Sequence, residues 1–374
     1  MAESVSWLKA MDPRETKLNI LLFALPITLY FNYVDQNHSM AFFSSLIAIM
    51  PLAFLMGRAT EEIALRTTES LGGLLNATFG NAAELIIAVL LILEASRVAD
   101  PETQSFFIHL VQASLIGSIL GNLLLVMGLA FVWGGIHHSE QKYSETQVSS
   151  NGSLLLLSMI VLVIPTVFHS SVGGEGGDSR LLDLSHIAAA ILLLVYGLFL
   201  LFQFRTHVHL FATDGSHHEE PEMTQRDSII LLVVATVLVS WMAEILVHSV
   251  EYAAEDFGLP HLFIGVILLP LFGNAAEHFT AVTVAGKDKM DLSFAISMGS
   301  STQIAVFIAP LMVIIAWALG VPLTFEFGIL ETVSAFLAVL IVNSIAADGK
   351  SNWLEGAMLL SSYGVLAAAF LFHP

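Results

Sequence analysis

The 374-residue sequence contains no cysteine, so disulfide bonds and thiolate metal sites are excluded. Basic residues are scarce as well: 13 lysines and arginines stand against 32 aspartates and glutamates, a formal net charge of −19. Nucleic acid binding requires a cationic surface, and no nucleic acid partner is expected for such a chain. Charged residues of all kinds make up only 12% of the sequence, about half the share in a soluble domain. These shortages argue against a soluble multidomain enzyme.

Long apolar runs are abundant instead. Hydrophobic residues account for 56% of the chain, and the mean hydropathy is +0.80. A helix needs about 20 apolar residues to cross the hydrocarbon core of a bilayer, and the sequence supplies such runs repeatedly. We therefore predict an all-α polytopic membrane protein with the lipid bilayer as its surroundings. Eleven transmembrane helices are predicted at residues 18–34, 39–66, 71–94, 105–135, 152–170, 183–204, 228–252, 259–285, 291–318, 325–345 and 352–372.

The distribution of lysine and arginine tests this count. With the N-terminus in the cytoplasm, all but two of the 13 basic residues fall on cytoplasmic ends and loops. The exceptions are Arg97 and Arg180, which are predicted on the outer side. This asymmetry agrees with the positive-inside rule. It predicts a cytoplasmic N-terminus and a C-terminus that is outside the cell or in an organelle lumen.

One hexapeptide, Phe-Gly-Asn-Ala-Ala-Glu, occurs twice, at 79–84 and 272–277, each time inside an apolar run. Each residue of the second copy lies 193 positions after its counterpart in the first. A charged side chain at the centre of a spanning helix costs about 2.5–3.5 kcal/mol on insertion scales. Two such residues in matching contexts indicate a duplicated unit. They also indicate that Glu84 and Glu277 act together, and we predict that they bind a cation in competition with protons.

The polar stretch 205–227 divides the predicted helices into one, then five, then five more. Because five is odd, the second group of five crosses the membrane in the opposite sense to the first, which makes two inverted-topology repeats. The predicted organisation is an N-terminal segment with the first helix (1–38), a first repeat (39–204), a linker (205–227) and a second repeat (228–374). The acidic, histidine-rich linker is interpreted as a solvated cytoplasmic loop, and a regulatory metal site in it is the alternative.

The residues around the two glutamates favour a hard cation. Asn81 and Asn274 lie one turn before the glutamates on nearly the same helix face. The adjacent Gly80 and Gly273 allow close backbone approach and can loosen the helix, which frees carbonyl oxygens. Carboxylate, amide and backbone oxygens suit Ca²⁺, which takes 6–8 oxygen ligands. The repeats' inversion allows the two motifs to face each other at mid-membrane. Tight helix packing around a buried, protonated glutamate is the alternative.

Other polar residues within the spans are weaker candidates. Glu61 and Glu244 occupy matching repeat positions and are predicted to relay protons or to line a vestibule, with simple solvation as the alternative. His278 follows Glu277 but points about 100° away around the helix, and a packing or gating role competes with proton carriage. The fourth and ninth spans share a Gly-Ser pair, at 117–118 and 299–300, and either line the path with oxygens or pack through small residues. The predicted lining residues there are Gln112, Ser118, Asn122, Ser300, Ser301 and Gln303.

At these positions the chain resembles the Ca²⁺/H⁺ antiporters, the cation/proton exchanger branch of the Ca²⁺/cation antiporter superfamily. The resemblance rests on the two Gly-Asn-Ala-Ala-Glu motifs, on residues 72–78, on His278 and on Gly-Ser-Ser-Thr-Gln-Ile at 299–304. It covers essentially all of 39–372. Membership implies eleven spans, alternating access, Glu84 and Glu277 as central ligands, and Glu61 and Glu244 as vestibule or relay carboxylates. The family often has an acidic segment between spans six and seven, which here is short and rich in histidine.

The expected function is therefore export of Ca²⁺, or another divalent cation, from the cytoplasm in exchange for H⁺. The host membrane would be the plasma membrane or that of an acidic organelle. No cofactor is expected, since Ca²⁺ and H⁺ are the transported ions, and a homo-oligomer is compatible with the sequence. A Na⁺-coupled exchanger of the same superfamily is the nearest alternative, but that branch typically has proline before its glutamate. An intramembrane enzyme is disfavoured because no His-Glu-x-x-His or Gly-x-Gly-Asp motif is present. A channel fits duplicated, inverted glutamates less well than alternating access does.

Overall fold

The structure is a computed structural model that describes residues 5–67, 72, 75, 78–172, 177–208 and 221–373. Within these residues, nine helices are long and apolar enough to cross a membrane, and a bent helix pair would make a tenth. The bent pair is His261–Gly273 with Ala275–Ala285. The nine helices are Lys17–Asp35, His38–Ala64, Pro101–His137, Val148–Ser171, Ser179–Thr206, Gln225–Phe257, Met290–Ala318, Ile329–Asp348 and Trp353–Leu371.

The predicted all-α membrane architecture is confirmed, and ten of the eleven predicted spans coincide with these helices to within a few residues at most ends. The remaining span, 71–94, overlaps the Ala82–Arg97 helix, which has 16 described residues. Much of the predicted span before residue 78 lies outside the described residues. The total of eleven therefore stays a prediction.

Helix starts follow the capping residues in the sequence. Asp100 caps the Pro101–Leu120 segment by accepting hydrogen bonds from the backbone N–H and the hydroxyl of Thr103, both at 2.9 Å. These hydrogen bonds hold the pKa of the Asp100 carboxyl below its usual range. Proline at the first helical position suits this start, because its missing N–H would be unpaired there in any case.

Two prolines inside spans follow a widened turn. The π-helical segment Ile264–Leu268 comes just before Pro270, and Ile304–Ile308 just before Pro310. A proline ring clashes with the carbonyl four residues earlier and leaves that carbonyl without a donor. The extra residue of a π turn shifts the hydrogen-bond register and relieves that clash.

The fourth and ninth spans share an irregularity. The π-helical segment Gly121–Val126 follows the Gly-Ser pair at 117–118, and Ile304–Ile308 follows the pair at 299–300. The second segment lies 182 positions after the first, to within one residue, as do the Gly-Ser pairs. A deviation from α-helical geometry at matched positions accords with the predicted duplication.

The chain forms two compact units that do not follow the sequence halves. The first comprises Met1–Leu90, Phe202–Leu259 and Phe272–Ala276. At its centre, the His38–Ala64 and Gln225–Phe257 helices pack antiparallel. At one end Ser39 hydrogen-bonds to Asp256, and at the other Glu62 accepts from Met223. The unit therefore combines helices from both predicted repeats, whose boundaries stay a prediction.

The second unit comprises Leu91–Leu201, Pro260–Leu271 and Glu277–Pro374. Its short strand β1 (Gln141–Lys142) pairs antiparallel with β2 (Lys350–Ser351). The Gln141 amide also donates to the carbonyl of Ala285 at 3.0 Å and to Asp288 at 2.9 Å. Three loops that carry predicted cytoplasmic lysines thus lie on one side of this unit, as the charge distribution predicts.

Tyr143, the residue after β1, connects these loops to the neighbouring helices. Its ring stacks between Phe131 and Phe294, and its hydroxyl donates to the carbonyl of Lys350 at 2.7 Å. Burial raises the pKa of this hydroxyl, and the negative charges of Asp348 and Glu355 raise it further. The group therefore stays a protonated donor.

Candidate cation-binding site

Both copies of the repeated motif break their helix at the asparagine. Residue 81 is a turn between helical Gly80 and Ala82, and residue 274 is a turn between Gly273 and Ala275. At the second copy the two helical pieces are bent by 59°. This is the loosening that adjacent glycine and asparagine predict, because glycine tolerates non-helical backbone and asparagine competes for backbone hydrogen bonds.

The helix breaks place both glutamates at a helix N-terminus, which the sequence pattern did not predict. A new helix starts directly after each asparagine, so Glu84 lies in the first turn of Ala82–Arg97 and Glu277 in the first turn of Ala275–Ala285. The N-terminal turn of a helix carries a partial positive charge and favours an anion by about 0.3–1 kcal/mol. Each motif therefore places a carboxylate where the partial positive charge of a helix N-terminus stabilises its ionised form.

Within the first unit, the glutamate of the first motif lies against the glycine of the second. A Cβ atom built on Gly273 would be 3.9 Å from Cγ of Glu84 and 4.0 Å from Cδ1 of Ile87. This is ordinary van der Waals contact, so the Glu84 side chain passes directly beside the Gly273 backbone. Two segments 193 positions apart in the chain therefore meet at one place.

The polar atoms at this place are poorly paired. Both carboxylate oxygens of Glu84 are buried, although part of its stem is accessible, and neither has a hydrogen-bond partner in the described part of the chain. The same holds for both amide atoms of Asn274, a residue that is 1% exposed. Leaving a buried polar group unpaired costs about 1–3 kcal/mol, and more for a charged one. Such a cluster is stable only if a cation or a proton neutralises the carboxylate.

The other motif residues are placed as follows. Asn81 is buried at 1% exposure, and Gly80 and Glu277 are half-buried. His278 is 9% exposed, and its Nε2 is buried without a hydrogen-bond partner among the described residues. Across residues 5–373, less the undescribed gaps, no three histidines, aspartates or glutamates cluster as metal ligands. A cation here would therefore rely on amide and backbone oxygens beside the carboxylates.

The predicted lining segments of spans four and nine meet within the second unit. The Asn122 amide donates to the Ser300 hydroxyl at 2.9 Å, and both residues are buried. Gln112 uses its amide nitrogen to hold the carbonyls of Thr324 and Glu326, each at 2.9 Å. Ser301 donates to the carbonyl of Ser297 in its own helix. Ser118 is buried and Gln303 half-buried, so oxygen lining by the whole set stays a prediction.

Glu61 and Glu244 are both exposed at the protein surface, whereas the neighbouring Glu62 is buried at 6% exposure. Glu62 accepts hydrogen bonds from the backbone N–H groups of Glu222 and Met223 at 3.0 and 3.1 Å. It also pairs with Arg66 at 3.3 Å. Glu62 is not among the predicted site residues, although Arg66 one turn later is a sequence signal for an i,i+4 ion pair. Through these hydrogen bonds, Glu62 holds residues 222 and 223, near the end of the linker, against the His38–Ala64 helix.

Replacing Glu62 is expected to destabilise the first unit strongly. Glu62→Ala removes one partner of a buried ion pair and the acceptor of two backbone N–H groups, which predicts a loss of about 3–5 kcal/mol in unfolding free energy. The thermal unfolding midpoint of the purified protein measures this. Glu61→Ala is the matched control, because Glu61 is adjacent and exposed, and a change below about 1 kcal/mol is expected. Equal effects of the two substitutions would contradict the assigned role of Glu62.

Comparison with known proteins identifies the family. Residues 38–205 and 227–372 match the model of the family described as sodium/calcium exchanger protein. The chain belongs to this family. The matched segments contain both copies of the repeated motif and exclude most of the linker between residues 205 and 227.

Individual members of the family are similar along nearly the whole chain. A protein named Ca(2+)/H(+) antiporter from Aphanothece halophytica is 43% identical over 369 residues, which covers 95% of this chain and 96% of the relative. A vacuolar calcium ion transporter from Schizosaccharomyces pombe is 38% identical over 383 residues, with 100% and 90% covered. The solved structure of native YfkE superposes with a TM-score of 0.81 at 36% identity and covers 95% of this chain and 99% of that one.

Proposed function

We propose that this membrane protein exchanges Ca²⁺ for H⁺ by alternating access and exports Ca²⁺ from the cytoplasm. The observation that carries the proposal is the buried Glu84 carboxylate, with both oxygens unpaired among the described residues, beside Gly273 and the equally unpaired Asn274. The relatives named as Ca(2+)/H(+) antiporter and vacuolar calcium ion transporter support the choice of ions. The vacuolar relatives make an internal membrane plausible as the host membrane.

Coupled exchange of Ca²⁺ for H⁺ follows from the charge balance of the buried site. A buried carboxylate without donors is costly when it is ionised, and it is relieved either by a bound divalent cation or by a proton. A site loaded with Ca²⁺ and a protonated site are both close to neutral, so both can change sides of the membrane. An empty, ionised site should not, because its charge would have to cross a low-dielectric region. Uncoupled flux of either ion is therefore suppressed, and the two ions move in opposite directions.

The residues have distinct proposed roles. Glu84 and, by sequence symmetry, Glu277 bind the cation or the protons, and Asn81 and Asn274 contribute amide oxygens. Each helix break would offer backbone oxygen. His278 acts in gating or packing around the second motif. Exposed Glu61 and Glu244 are proposed as vestibule carboxylates that raise the local cation concentration. The transported ions are substrates, and the exchange requires no enzyme cofactor.

The Na⁺-coupled alternative is separated from this proposal by the driving force. Purified protein in vesicles with an acidic interior and no Na⁺ is expected to accumulate Ca²⁺, and collapse of the pH gradient with a protonophore is expected to stop uptake. Competition by Mn²⁺ and other divalent cations then ranks selectivity. Uptake that needs a Na⁺ gradient and ignores the pH gradient would reject the proposal. Flux without counter-transport would indicate a channel.

A further inference from the structure

Glu331 is a buried carboxylate that the proposed exchange does not use. It lies in the first turn of the Ile329–Ile345 helix and is 4% exposed. Its Oε2 accepts a hydrogen bond from the N–H of Gly328 at 2.7 Å. Its Oε1 is buried and has no hydrogen-bond partner among the residues that the structure describes. One oxygen of the buried carboxylate therefore has a donor and the other has none among the described residues, although Gly328 itself is exposed.

Glu331 adjoins an extended segment, residues 321–328, that the chain buries without any sheet. Every second side chain of this segment points inward, and these side chains are at most 3% exposed: Val321, Leu323, Phe325 and Phe327. Burying irregular backbone requires partners for its polar groups. Side chains from the neighbouring helices supply them, so the segment is held by specific hydrogen bonds as well as by packing.

Four side chains hold the backbone of the 321–328 segment. Ser185 and Thr166 accept from the N–H groups of Phe325 and Phe327, each at 3.1 Å. Gln112 donates to two carbonyls of the segment, as described above. Glu331 accepts from Gly328 at the end of the segment. Glu331 alone among these four is ionisable, so a proton acts directly on this attachment and reaches the other three only through movement of the segment.

The contact between Glu331 and Gly328 depends on the glycine. A Cβ atom at Gly328 would lie 2.6 Å from Oε2 of Glu331, which is too close for the carboxylate to keep its position. Among the described residues, the charged or titratable groups near Glu331 are His373, Glu326 and His169. His373 at the C-terminal end acts on it electrostatically. Glu326 in the segment faces His169 at 3.6 Å, and both of these side chains are more than a third exposed and screened by water.

We propose that Glu331 is a proton-binding site, separate from the signature glutamates, whose occupancy controls how firmly the 321–328 segment is held. With its proton bound, the carboxyl is neutral and stays buried with Oε2 on the Gly328 N–H. Without the proton, one donor serves two buried anionic oxygens, and the charge is relieved by moving toward water. That movement breaks the Gly328 hydrogen bond and loosens the segment. Gln112 then transmits the change to the Pro101–His137 helix, which carries Asn122.

Hydrogen exchange tests this on the full chain in lipid nanodiscs, without any transport. We expect the protection of the Phe325, Phe327 and Gly328 amides to fall about tenfold from pH 5 to pH 8, after correction for intrinsic exchange. Glu331→Gln keeps an acceptor oxygen and cannot ionise, so its protection is expected to stay at the low-pH level throughout. A pH response that persists in Glu331→Gln would overturn the proposal.

Two matched variants test whether another group binds the proton. Glu326→Gln removes the other carboxylate near the segment, and His373→Asn removes the neighbouring imidazole; both are expected to keep a pH response. Loss of the response in either, with retention in Glu331→Gln, would assign the proton elsewhere and reject the proposal. If Glu331→Gln does not fold, Gly328→Ala displaces the carboxylate instead. Gly328→Ala is expected to lower protection at pH 5, and wild-type protection and response in it would also reject the proposal.

Discussion

Glu84→Gln is expected to reduce proton-driven Ca²⁺ uptake in vesicles by at least about a hundredfold, which corresponds to about 2.7 kcal/mol. The amide has nearly the shape of the carboxylate, so the fold is retained. It has no charge to attract Ca²⁺ and binds no proton in the relevant pH range, so neither half of the exchange can proceed. By the symmetry of the motifs, Glu277→Gln is expected to have the same effect.

Glu94→Gln provides the matched control for this prediction. Glu94 lies on the same Ala82–Arg97 helix, and it pairs with Arg97 at 3.7 Å near the end of the helix. The same chemical change there is expected to leave uptake within about twofold of wild type, because Glu94 lies ten residues along the helix from Glu84 and pairs with an arginine that is largely exposed. Normal uptake by Glu84→Gln or Glu277→Gln, measured beside this control, would refute the central role of the signature glutamates.

Gly117→Ala is expected to destabilise the second unit strongly. A Cβ atom at Gly117 would lie 2.2 Å from the carbonyl oxygen of Val266, inside the π-helical segment that precedes Pro270. Neither the Gly117 nor the Val266 backbone can shift to relieve this clash without breaking helical hydrogen bonds. We expect a loss of at least about 3 kcal/mol in unfolding free energy, seen as a lower unfolding midpoint or as failure to accumulate folded protein.

The same helix offers the control for this substitution. Gly121 is four residues further along, and a Cβ atom there would meet nothing within 4 Å. Gly121→Ala is therefore expected to change the unfolding midpoint little, or to raise it slightly through the higher helix propensity of alanine. If the two substitutions had equal effects, the close approach of Gly117 to Val266 would not be the reason for its small side chain.

The sequence alone does not show whether Gly117 and Gly121 serve helix packing or oxygen lining, and the structure distinguishes the two glycines. Gly117 and Gly121 have the spacing typical of small-residue helix packing, and Gly-Ser at 117–118 also fits oxygen lining. The structure assigns tight packing to Gly117 and open space to Gly121. Spacing identifies the helix face, but only the neighbouring backbone decides which small residue is in contact.

The duplicated motif was the most informative part of the sequence because it combined an energetic cost with symmetry. A carboxylate in an apolar run requires a function, and two in matched runs require a common one. The positions of the spans were equally accessible, since long apolar runs have few alternatives in a bilayer. Which of Glu61 and Glu62 is buried was not accessible, because adjacent residues on a helix point about 100° apart, and the spacing to Arg66 signals an ion pair but not its burial.

The sequence by itself determined the class of protein, the approximate spans and the duplicated glutamates, because hydrophobicity and charge are properties that each segment carries with it. Tertiary structure alone decided that Glu84 lies beside Gly273, that Glu62 is a buried anchor, and that residues 321–328 are held by Gln112, Thr166 and Ser185. Contacts between residues more than a hundred positions apart depend on how helices pack, and packing is a collective property of many side chains. A local pattern therefore predicts which residues can act, and the packed fold selects those that meet.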